Sequence, residues 1–113
     1  MSAPPIPLEG LYHRARLLLN AAVGGLSEGA LDAVVSLPPE AWPDNTLKRV
    51  AAAIRAVHER GDAVDDASVY VELSTQANPL SAADLTKLNE DGRYSMHPGQ
   101  DAQWLLEAYE QAA

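Results

Sequence analysis

The side chains in this 113-residue chain that could do chemistry are three histidines, sixteen carboxylates, a scatter of serines and two tryptophans. His13, His58 and His97 lie in separate stretches, and none has a second histidine at the helical spacing a metal site uses. His58 reads as an interfacial or half-buried helix histidine, and His97, beside Pro98, as a solvated loop residue. Asp65-Asp66 and Glu90-Asp91 are adjacent carboxylates. Acid–base work needs two carboxyl groups turned on one substrate, whereas neighbours on a turn diverge, so helix capping accounts for both pairs. There is no Gly-x-x-x-x-Gly-Lys-Ser/Thr loop and no Gly-x-Gly-x-x-Gly loop to cradle phosphate. No serine carries the local signature of an activated nucleophile. Trp42 and Trp104 read as core anchors rather than ligand platforms. The expectation is no catalytic residue, no cofactor and no metal, so a binding module is a better reading than an enzyme.

Charge narrows the partners. Residues 1–60 hold six acids and six bases, while residues 61–113 hold ten acids against Lys87 and Arg93 alone. The whole formal net charge of −8 therefore falls on the second half. That half would repel a phosphate backbone and an anionic membrane surface, so neither direct nucleic-acid binding nor membrane binding is expected. No apolar run reaches the ~20 residues that span a bilayer, and Met-Ser-Ala-Pro-Pro lacks the pattern of a signal peptide. Without cysteine there is no disulfide framework and no thiolate site. A cytoplasmic location is the expectation.

The elements that position these residues read as helices. Phenylalanine is absent and alanine abundant, which suits closely packed helices better than stacked sheets. Three prolines make residues 1–7 an extended lead-in. Leu8, Leu11, Tyr12, Ala15, Leu18, Leu19 and Ala22 recur at helical steps until Gly24-Gly25. Ser27 is a candidate cap for a second helix that turns Leu31, Val34 and Val35 inward and closes at Pro38-Pro39. Leu47, Val50, Ala51, Ile54, Val57 and His58 stripe a third, with Asp44 or Asn45 to start it and Gly61 to stop it. Residues 68–74 satisfy both a strand and a helix pattern. A lone strand would have nothing to pair with, so a helix is expected, capped by Asp65 or Asp66. Ser81-Ala82-Ala83-Asp84 resembles a capping box before a short helix through Leu85 and Leu88. After a loop over 91–100, a last helix from about Asp101 puts Trp104, Leu105, Ala108 and Tyr109 on one face. The expected fold is an all-α compact bundle of about six short helices, with a head over 8–76 and a hairpin-like part over 80–113.

These residues resemble one family. Leu17-Leu18-Leu19-Asn20-Ala21-Ala22-Val23 is similar to the first-helix segment of the N-terminal domain of DnaB-type replicative helicases. Ala30-Leu31-Asp32-Ala33-Val34-Val35 and Pro39-Glu40-Ala41-Trp42 resemble its second helix and the segment that follows. Val50-Ala51-Ala52-Ala53-Ile54, then Val57 through Gly61-Asp62-Ala63-Val64-Asp65, then Val69 and Leu73, resemble its helix, Gly-x-Pro-Ile/Val-Asp turn and next helix. Trp104-Leu105-Leu106-Glu107-Ala108-Tyr109-Glu110-Gln111-Ala112 resembles the helix that begins its hairpin. Asn20, Leu47, Ala51 and Ala63 stand where the family usually has Gly, His, Phe and Pro, as in a diverged relative.

The resemblance covers residues 7–112 and implies an all-α, DnaB-helicase N-terminal-domain-like collar that self-associates as a homodimer or higher oligomer. Its implied partners are a replicative helicase, a primase or a helicase loader, with ATP turnover confined to a motor domain outside this chain. It carries a self-association face onto Leu85, Leu88, Trp104, Leu105, Leu106 and Tyr109, residues that packing within one chain explains equally well. Two other functions fit the residues. One is a helical adaptor or regulatory protein unrelated to the replisome, whose acidic half takes a basic protein partner. The other is a small helical enzyme with a pocket lined by His58, Asp65 or Asp66.

Overall fold

The apolar stripe that begins near Leu11 winds into α1, Leu8–Ala22, which ends one residue before Val23. Next come α2, Ala30–Ser36, a single 3-10 turn at Pro39–Ala41, α3, Asn45–Glu59, and α4, Asp66–Ser74. The last helix, α5, is Pro98–Ala112. The computed structural model describes residues 8–23, 25, 29–76 and 93–112, and among these all regular structure is helical. The short helix expected through Leu85 and Leu88 lies outside the described residues, as does the Ser81–Asp84 cap.

Local chemistry sets most of the boundaries. Asp44 accepts the Leu47 backbone N–H at 2.8 Å and starts α3. At the other end Gly61, at φ +81°, donates to the His58 carbonyl, and Asp62 donates to the Val57 carbonyl. This pair of bonds is a Schellman closure, which needs a left-handed residue and so favours glycine. Asp65 and Ser68 form a reciprocal capping box at the head of α4, each side chain accepting the other's backbone N–H. That box, with Val69 and Leu73 one turn apart and both buried, fixes residues 68–74 as helix rather than strand.

Three expectations are corrected. The cap of α2 is Gly29, at φ +81° and without a side-chain bond, and Ser27 lies outside the described residues. Helix α5 starts at Pro98 rather than Asp101. Proline suits a first helical position, where its missing N–H has no partner to lose, and Asp101 N–H already bonds the His97 carbonyl. His58 is exposed. It stands one turn after Ile54 on α3, beside the fully buried Val57, yet its own side of the last turn is open to solvent.

One core serves the five helices of the described residues. Ala15, Leu18, Leu19 and Ala22 of α1 meet Ala30 and Val34 of α2, and Leu47, Val50 and Ile54 of α3. Val69 and Leu73 of α4 and Leu105 of α5 join the same cluster. Ala15, Ala21, Ala30 and Ala53 are almost fully buried, the close approach that an alanine-rich, phenylalanine-free chain allows. Helix α5 packs on α1, α2 and the 3-10 turn, while α4 packs on α3. Trp42 is buried as expected, held extended ahead of Pro43.

Candidate functional site

The polar chemistry of the molecule collects where the segment before α5 meets α1. Asp101, in the first turn of α5, is buried and accepts two bonds. Arg14 Nη1 donates to its Oδ1 at 2.7 Å and Ser95 Oγ donates to its Oδ2 at 2.6 Å. The Ser95 backbone N–H reaches the Leu17 carbonyl at 2.9 Å, and Asn20 Nδ2 reaches the Arg93 carbonyl at 3.0 Å. The Arg14 guanidinium also lies over the Trp104 ring, 3.9 Å from its centroid. Arg16 is buried too and donates to His13 Nδ1 at 3.3 Å. Both oxygens of the Asp101 carboxylate are committed, and the Ser95 hydroxyl has Asp101 rather than a histidine as its acceptor. The cluster ties residues 93–97 and α5 to α1, 87 residues apart in sequence at Arg14 and Asp101.

The arginines of α3 and its C-cap, Arg60, are likewise fasteners. Arg49 donates through Nε and Nη2 to Gln76 Oε1, at 3.1 and 2.8 Å, just past α4. Arg55 donates to the Val35 carbonyl on α2. Arg60 pairs with Glu72 at 2.6 Å and Asp62 at 3.2 Å, and these acceptors raise its pKa above the ordinary arginine value. The bonds from Ser68 hold the Asp65 carboxyl below the usual carboxylate value.

His58, Asp65 and Asp66 are all exposed, and Asp65 is spent on the α4 cap. A cavity of about 90 Å³ between α2, the 3-10 turn and α3 is lined by Val34, Leu37, Trp42, Ala51, Lys48 and Arg55 among others. Its apolar lining and size suit a single small side chain. Among the described residues no group of three or more His, Asp or Glu could hold a metal ion, and no helix is long and apolar enough to cross a membrane.

The expected association face divides. Leu105 is 1% exposed and belongs to the core, so it has no surface to offer a partner. Trp104, Leu106 and Tyr109 are half-buried, with Leu106 and Tyr109 packed against that core and part of each surface left open. Leu85 and Leu88 lie outside the described residues.

Sequence reasoning missed the Arg14–Asp101–Ser95 cluster. Two spacings carried a signal for it. Arg14 falls between Leu11 and Leu18 on the inward stripe of α1, and Asp101 stands one turn before Leu105. A charge on an apolar face implies a buried partner. Neither a family model, a curated protein nor a solved structure matches the chain.

Proposed function

We propose that the chain is a protein-docking module of DNA replication that carries no catalytic centre of its own and associates with itself and with a replicative helicase, primase or loader. The observation that carries the docking reading is the margin of the packed side of α5, where Trp104, Leu106 and Tyr109, half-buried on the flanks of the buried Leu105, keep part of their apolar surface open. The assignment to replication rests on the residue-level resemblance over 7–112. Its most detailed stretch, residues 50–73, forms two helices joined across a capped turn. Light scattering on the purified chain, together with pull-down against purified helicase, primase and loader, tests the reading. Self-association or capture of one of them, without ATP turnover, is the expected result. A strict monomer that captures none overturns it.

A second reading is a helical adaptor outside the replisome. The placement of the net −8 charge on residues 61–113 favours it, because such a surface selects a basic protein.

A further inference from the structure

Helix α4 is apolar on two opposite sides. Val69 and Leu73 point into the core, at 4% and 1% exposure. Tyr70 and Val71 point outward, at 48% and 58%, and with Met96 they are the large exposed hydrophobics among the described residues. Ala67 and Ser74, also exposed, extend this outer stripe by a turn in each direction. Apolar side chains exposed together on the side of a helix away from its core mark a contact surface. Helix α3 is the neighbour on the inner side.

The charges around the outer stripe select its cover. Asp66 stands one turn below Tyr70 on the same side, and Asp62 and Asp65 are exposed at the turn that leads into the helix. Among the described residues, Arg60 stands beside the turn that leads into α4, and Asp62 and Glu72 already hold it. The stripe is therefore an apolar strip with a net negative margin. A second copy presenting the same strip would bring two acidic margins together, so self-pairing here is opposed by charge.

We infer that the outer side of α4 is a docking surface for a basic amphipathic helix, with apolar residues against Tyr70 and Val71 and Lys or Arg facing Asp62, Asp65 and Asp66. This rests on the docking reading above but uses a different surface from α5. Recognition of this kind reads apolar anchors at helical spacing, and opposite charge at the margin sets orientation and partner choice.

The test uses the full chain and a fluorescent helix of about 20 residues built from Leu and Lys at helical spacing, with a Leu/Glu peptide of the same pattern as its control. The Leu/Lys peptide should bind. The double substitution Tyr70→Gln with Val71→Gln should weaken it by about tenfold or more, as expected for losing an aromatic anchor. Because both side chains are exposed, the thermal midpoint should hold. Equal binding by the double variant, or by the Leu/Glu peptide, overturns the assignment. So does a dimer of the unaltered chain that disappears in the double variant, since a second copy would then cover the strip. If the Leu/Lys peptide fails to bind while the chain still self-associates or captures a replication protein, this inference falls and the docking reading stands.

Discussion

At the scale of the residue, two carboxylates do different structural work. Asp101 is buried with both oxygens engaged, so removing its charge leaves Arg14 and Ser95 short of an acceptor. Asp101→Asn should lower unfolding free energy by about 2 kcal/mol in urea titrations. Ser95→Ala should cost about 1 kcal/mol, and the double variant less than the two effects added, because both act on one network. Asp65, in contrast, is exposed and acts through its cap. Its carboxyl sits below the ordinary value of 3.8 because Ser68 donates to it. A depressed native pKa means that the stabilisation is fully present above the unfolded-state value and is lost as pH falls through the native one. Asp65→Ala should therefore lower the thermal midpoint at neutral pH. The gap from the unaltered chain should narrow as pH drops below about 3.8.

At the scale of the element, local rules carry far. The Schellman closure of α3 depends on Gly61 at φ +81°, and an added Cβ there would meet no atom within 4 Å. Gly61→Ala thus isolates the backbone cost of the left-handed conformation and should destabilise by about 1–2 kcal/mol, measured by thermal or urea unfolding. The α1 and α3 stripes, Asp44, Gly61 and Asp65 were legible in the sequence because each acts within a turn or two of its own position. Asp101 and Ser95 were not, because their burial depends on α1, far away in the chain. His58 misled for a related reason: periodicity reports angle around the helix axis but not which side of a turn the neighbouring elements cover, and Val57 is buried where the next residue is open. The Pro98 start was legible in principle, as proline is at home in the first helical turn.

At the scale of the molecule, the split in charge gives the two docking modes opposite responses to salt. Self-association through α5 would join acidic halves across an apolar seam, so added salt should strengthen it by screening repulsion. Capture of a basic helix on α4 should weaken under the same change. Sedimentation and peptide binding over one salt series would separate the two, and parallel trends would count against this arrangement. The Cα radius of gyration, 13.5 Å, is close to the ~13 Å expected for a compact domain of about 100 residues.

The bond from Arg14 to Asp101 also has a meaning in time. It closes a span of 87 residues, and the entropy of so large a loop must be met before the contact can repay it. The short-range pairing of α3 with α4 carries no such delay, so it is suited to form early, with α5 settling onto α1 afterwards. A contact made late in folding acts on the rate of escape from the native state. The loss caused by Asp101→Asn should therefore appear as faster unfolding with refolding almost unchanged, making the buried carboxylate a latch on the lifetime of the fold.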